Sequence, residues 1–338
     1  MTENKVFIAA TGKTLSRAEF VDGNWKVEKP LEGMRVNCLV SDPLQPQKVY
    51  AGTQRDGILV SGDSGKSWQF LGMEGIPVKS LAVDPHHPGR IFTGCKPVSL
   101  YVSQNGGDTW EEYESLRRAR RWWWFSPAEP PDWSPYVMAL TISPTDPDVI
   151  MAGIELGGVL RSEDGGQTWS KHRRGAERDC HSLKFHPSNG NWVYQGGGGG
   201  PALSQDGGLT WRKPKDGIGT KYGWMVAADH QRPEVWYFSA SNLPKLWRGE
   251  FEPPAHKDGQ ANAHIYRSVG GAPWEPLSGG LPQPLDYMAY ALVTDQNAPG
   301  HLYAGLANGD VWFTENYGDT WKLLPFNLGG IHHTMIMI

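Results

Sequence analysis

Apolar residues arrive along this chain in short runs, each cut off by Gly, Pro, Asp or Asn. Leu81-Ala-Val is followed by Asp84-Pro85, then by Ile91-Phe-Thr-Gly94. Leu39-Val-Ser, Asp42-Pro43 and Val49-Tyr-Ala-Gly52 repeat the phrase, as do Leu140-Thr-Ile, Ser143-Pro144 and Val149-Ile-Met-Ala-Gly153. Runs this short between turn residues predict strands, and each phrase predicts an inner strand, a Pro-bearing turn and a second strand.

A second phrase follows each of these. It reads Ser61-Gly-Asp63-Ser-Gly65-Lys-Ser67-Trp68, then Ser103-Gln-Asn105-Gly-Gly107-Asp-Thr109-Trp110. Further copies end at Trp169, Trp211 and Trp321, and worn copies end at Trp25 and Trp274. An Asp or Asn in such a turn accepts bonds from the backbone N–H groups just ahead of it. The Gly two residues on can take the positive φ of a tight hairpin. Seven Trp anchors predict seven hairpins, and subtracting consecutive Trp numbers gives spacings of 43, 42, 59, 42, 63 and 47. A period of ~40–45 residues fits a four-stranded propeller blade.

The pattern therefore predicts one all-β domain over 1–338, a seven-bladed β-propeller with four-stranded antiparallel blades. Blade one has strands near Val6–Ala10, Thr14–Ala18 and Trp25–Val27 but no inner strand. The tail Ile331-His-His-Thr-Met-Ile-Met-Ile338 is expected to supply it and close the ring, which removes an exposed edge. A frayed tail is the competing expectation.

These phrases resemble the BNR/Asp-box repeat family, within the sialidase-like superfamily, over nearly the whole chain. The resemblance implies the propeller fold and leaves function open. The family includes sialidases, other glycosidases, sorting receptors and photosystem II assembly factors. A true sialidase is not expected, because the Phe/Tyr-Arg-Ile-Pro signature of that group is missing from a start that reads Val6-Phe-Ile-Ala-Ala-Thr. The two-propeller glycosidases place their cleft between two domains, and one is expected here.

In the family, the Asp-box turns share a face with the turns between strands one and two. Both departures from the period, 114–135 and 242–263, then fall on the opposite face. The first carries Arg121 and Trp122–Trp124, and the second carries Trp247, Arg248 and His256. Long loops on a rigid scaffold are where binding groups concentrate, whereas neutral drift should scatter over both faces. Aligning the inner strands on their Leu gives a column two residues earlier: Asn37, Lys79, Met138, His181, Trp224, Tyr290 and His333. That column predicts a polar, aromatic funnel at the channel mouth.

Candidate chemistry follows from these positions. Glu155, at the end of an apolar strand, is the candidate general acid or base, with a solvated loop glutamate as the alternative. His181 is the candidate proton shuttle, with a structural histidine as the alternative. Arg55, Lys79 and Arg121 are candidates to hold anionic groups, and Trp122, Tyr222, Trp224, Tyr290 and His333 to form walls. No cofactor is expected; a metal set of His181, His332 and His333 is the weaker alternative, since its spacing matches no ligand signature. Gly196–Gly200 would let a ligand or a neighbouring loop approach the backbone closely.

Net charge is −4, which argues against nucleic acid as a partner, although Arg and Trp do cluster in the first insertion. Three scattered cysteines fit neither a disulfide framework nor a zinc site. No apolar run approaches the ~20 residues of a membrane span, and no signal-peptide pattern opens the chain, so a cytoplasmic location is expected. Two functions remain. One is an enzyme acting on a polar or anionic small molecule or saccharide by acid–base hydrolase or lyase chemistry. The other is a non-catalytic propeller whose insertions dock a protein partner.

Overall fold

The computed structural model describes residues 4–121, 124, 134–242, 246–247, 250–251 and 259–338. Seven small antiparallel sheets form the blades of a β-propeller. Blade two shows the common plan, with strands Val36–Ser41, Val49–Thr53, Ile58–Ser61 and Gln69–Phe70 in sequential order. The inner three strands of each blade are the apolar ones, and their side chains pack between neighbouring blades.

The tail closes the ring. Met335–Met337 pairs with Val6–Ala10, placing Phe7 opposite Met337, Ile8 opposite Ile336 and Ala9 opposite Met335. Blade one is thus built from both chain ends, and its ladder has no open inner edge.

The outer strand is reduced in two blades. In blade four the imidazole Nδ1 of His172 accepts the Val159 N–H at 3.1 Å, taking a position that a backbone carbonyl would fill in a ladder. In blade five Leu203 and Arg212 exchange both backbone bonds, and Pro214 then offers no N–H to continue.

The repeated Ser/Thr-x-Asp/Asn turns are structural. Asp63 Oδ1 accepts the N–H groups of Lys66 (3.0 Å) and Ser67 (2.9 Å) and the Ser61 hydroxyl (2.7 Å). Asn105 and Asn316 hold the equivalent Thr109 and Thr320 N–H groups, each at 3.0 Å. Gly65, at φ +82°, leaves no room for a side chain: a Cβ there would stand 2.7 Å from Ile8 in blade one. Arginines stitch three blade junctions to these turns. Arg17 donates to the Ser64 carbonyl (2.7 Å), Arg161 to Gly207 (2.9 Å) and Arg267 to Tyr317 (2.8 Å). Each sits on the third strand of the preceding blade.

Among the described residues, no helix is long and apolar enough to cross a membrane. The cysteines are free and buried, and burial pushes each thiol up to about 12, which makes them inert.

Candidate functional site

The mouth of the channel is shaped by a repeated backbone irregularity. Six inner strands break register against their second strand, in the intervals Val36–Cys38, Val78–Ser80, Val137–Ala139, Cys180–Ser182, Gly223–Val226 and Ala289–Ala291. The residues inside these bulges are Asn37, Lys79, Met138, His181, Trp224 with Met225, and Tyr290. A bulged residue leaves the ladder and its side chain is re-aimed. In blade one the corresponding His333 reaches its position with φ +71°. One ring of side chains is therefore turned by local backbone distortion in every blade.

Side chains here also tie neighbouring blades together. Asn37 donates to the Val78 carbonyl (2.9 Å), Ser80 to that of Val137 (2.8 Å), and His181 Nδ1 to that of Gly223 (2.7 Å). Asn37 is thus part of the wall.

Within the ring lies a cavity of about 170 Å³. Its lining includes Arg35, Lys79, Lys184, His181, His332 and His333 and, among the described residues, no Asp or Glu. In a chain of net charge −4 this is a local reversal of sign. Lys79 and the buried Lys96 both lie over the Tyr136 ring, at 4.9 and 5.7 Å from its centroid.

His181 is buried at the cavity edge, and its ring is held on three sides. Nδ1 donates to Gly223, Nε2 lies 3.4 Å from Asp179 Oδ1, and Trp224 covers the ring at 4.3 Å. Burial alone would lower its pKa. The hydrogen bond and charge of Asp179, the charge of Glu155 and the Gly223 carbonyl outweigh burial and raise it. The Tyr222 ring is 5.2 Å away, its hydroxyl pushed up by burial and by Asp179 and Glu155. Tyr222, Trp224 and Tyr290 form a file of rings, with Trp224 5.0 Å from Tyr290 and 4.8 Å from His333.

Asp179 is held by the glycine run. A Cβ at Gly197 would meet the Asp179 carbonyl at 2.1 Å, and one at Gly198 would meet its Oδ2 at 2.1 Å. At Gly199 it would meet Glu177 Oε2 at 2.4 Å. The neighbouring loop, not a ligand, is what these glycines admit. Gln195 fixes the same loop by exchanging two bonds with the backbone of Glu177.

Glu155, Asp179 and His181 offer three ligand atoms within 4.8 Å of one another, a spacing a divalent cation can bridge. Among the described residues, His181, His332 and His333 form no such group. Trp224 is the ring that neighbours both His181 and His333, while His332 and His333 face each other with Nε2 atoms 3.1 Å apart.

Three residues further along each inner strand lies a second ring: Val40, Ala82, Thr141, Lys184, Ala227, Val293 and Ile336. Ladder partners confirm the register, with Lys184 opposite Tyr194, Ala227 opposite Tyr237 and Val293 opposite Tyr303.

Other sequence candidates lie elsewhere. Arg55 and Arg121 are exposed and do not line the cavity. Trp122 lies outside the described residues, as do Arg248 and His256. Trp124 is buried against the Ile154–Gly157 turn of blade four, whereas Ser115, at the start of the same insertion, donates to Gly166 in the turn that holds Asp164. Asp179, Arg35, Tyr136 and Lys184 escaped the sequence reading. An acid two residues before His181, and one more step along the same inner-strand alignment, were the signals for Asp179 and Lys184.

No known protein-family profile matches the sequence, and no curated protein does. Solved structures resemble the fold. An ancestral GH74 enzyme superposes with a TM-score of 0.63 at 19% identity, over 85% of this chain and 38% of that one. YCF48 bound to D1 peptide gives 0.53 at 12% identity, over 85% and 84%. The computationally designed Ika8 protein gives 0.59 at 15% identity, over 98% and 87%. This chain spans well under half the length of the GH74 enzyme. At these identities the likeness is one of fold: the chain is a seven-bladed β-propeller, an architecture that serves both glycoside hydrolases and peptide binders.

Proposed function

We propose that the channel mouth binds a small anionic molecule, such as a sugar acid or another small carboxylate. In this reading His181, with Asp179 and Glu155 behind it, transfers a proton to or from that ligand in hydrolase or lyase chemistry. The observation that carries the proposal is the cavity lining, which among the described residues gathers Arg35, Lys79, Lys184 and three histidines without one carboxylate. A cavity of about 170 Å³ is smaller than the ~300 Å³ at which drug-sized pockets begin, so a small acid suits it better than an oligosaccharide.

Roles follow from position. Arg35 and Lys79 hold the anionic group, with Lys79 set against Tyr136. His181 carries the proton, because both of its nitrogens face acceptors and its charged form is favoured. Asp179 positions the ring, and Glu155 is the nearby carboxylate able to take up a proton.

The test is a thermal-shift screen of sugar acids, oxo acids and simple phosphates, followed by calorimetry on any hit. A ligand at a hundred times its Kd stabilises the folded state by ~2.7 kcal/mol, enough to read as a rise in Tm. Lys79→Ala is expected to weaken the hit about tenfold, the effect of ~1.4 kcal/mol. His181→Ala is expected to spare binding and abolish turnover. A flat response to every anion removes this reading and favours the protein-docking propeller.

A further inference from the structure

Lys184 adds charge to the lining in the reading above but is given neither the anion nor the proton to hold, and its placement is unusual. The six other members of its ring are uncharged, and five of them are Val, Ala or Ile, from blades two, three, six, seven and one. Among the described residues no carboxylate pairs with it. It lines both the mouth cavity and a second one of about 350 Å³ toward the Asp-box end, so small solutes reach it from either side. The side chain is exposed to the channel, and the inner strands of seven blades stand around it. That crowding pushes its pKa down to about 8. Roughly a tenth of the amine is then neutral at pH 7, against well under a thousandth of an ordinary lysine.

Most of the amine stays charged at pH 7, and the neutral fraction makes it a nucleophile as well. Anchors are already present above it in Arg35 and Lys79. We propose that Lys184 condenses with the carbonyl of a small oxo acid held at the mouth, forming an imine. The proposal rests on the anion-binding reading and narrows its ligand class to acids that carry a ketone or aldehyde.

The step balances without a co-reactant. The neutral Nζ adds to the carbonyl carbon, and one of its hydrogens moves to the oxygen to give a carbinolamine. That oxygen then leaves as water with the second amine hydrogen, and a C=N bond remains. No electrons are gained or lost. His230 lines the lower cavity, and burial first of all holds it below the ordinary histidine value, so a neutral imidazole is at hand to relay the protons.

The test treats the full chain with pyruvate and sodium cyanoborohydride, which reduces an imine to a stable secondary amine, and maps the adduct by peptide mass. We expect labelling at Lys184 at least tenfold above any surface lysine, with no such excess in Lys184→Arg, whose fold is checked by circular dichroism. Labelling no higher than at surface lysines overturns the proposal. Lactate, which has the carboxylate but no carbonyl, separates the two ideas by calorimetry. Lactate binding without a selective adduct discards the imine and keeps the anion site; neither binding nor adduct discards both.

Discussion

His181 Nε2 lies 3.4 Å from Asp179 Oδ1, while Nδ1 of the same ring donates to the Gly223 carbonyl at 2.7 Å. Both ring nitrogens face acceptors, so the protonated ring is favoured despite its burial. A histidine whose pKa is raised on folding adds stability that is fully present below its unfolded value of ~6.5 and is lost as pH climbs through the folded value. Asp179→Asn should therefore lower the His181 pKa, read from its ring signals in an NMR titration. It should also destabilise the protein more at pH 5.5 than at pH 8.5. A His181 titration that does not move would show that Asp179 is not its partner.

The glycine run makes a second expectation. Gly198 has an ordinary backbone conformation, yet a Cβ there would stand 2.1 Å from Asp179 Oδ2. Gly198→Ala should push the carboxylate aside and lower the His181 pKa in the same direction as Asp179→Asn. Gly62→Ala is the control, since its Cβ would meet nothing within 4 Å. If Gly198→Ala leaves the His181 titration where it was, the run does not position Asp179.

The blades are legible in the sequence because each repeated Ser/Thr-x-Asp/Asn turn carries its own local chemistry. Asp63 and Ser61 make their bonds within one turn, so the residues that specify the hairpin are adjacent in the chain. The mouth column was legible for a related reason: six inner strands repeat the same bulge two residues before an apolar position, Leu in five of them. Direction was harder. Arg55 and Arg121 were assigned by loop, and a loop does not reveal which way a long side chain points. The grouping of His181 with His332 and His333 failed because sequence separation cannot show Trp224 standing beside both His181 and His333. Asp179 was missed because its proximity depends on glycines that lie 18 residues further along.

The box bonds also make a prediction about acid. Burial would raise the Asp63 pKa, but bonds from Ser67, Ser61 and Lys66 dominate and hold it at about 2. A depressed carboxylate adds stability that is present above its unfolded value of ~3.9 and fades as pH falls through about 2. Asp63→Ala should cost about 1 kcal/mol at pH 7, the net worth of an ordinary hydrogen bond or two at an exposed turn. Asp63→Asn should cost less, because Asn105 and Asn316 already fill this position and hold the same N–H groups. Urea melts at pH 7 and pH 2.5 distinguish the cases: the Ala variant's deficit should shrink in acid. A deficit equal at both pH values would mean that the charge of Asp63 contributes nothing to the turn.

Lys184 lets the channel electrostatics be tested without any ligand. Its pKa falls from the ordinary 10.5 to about 8 because an ammonium in that ring loses much of its water. The unfolded chain binds this proton more tightly than the folded one, so the native state carries a penalty that is full below pH 8. The penalty disappears as pH rises toward 10.5. Lys184→Met keeps the length of the side chain and removes the charge. It should raise Tm at pH 7 by a few degrees, less than the shift implies, because channel water screens the ammonium. Part of any gain will come from the thioether packing against Val and Ala neighbours, and that part does not depend on pH. The pH-dependent part is the decisive one: the advantage of the Met variant should narrow between pH 8 and pH 10. An advantage that stays constant over this range would place the wild-type ammonium in bulk-like water, and the case for a reactive amine in the channel would lose its physical basis.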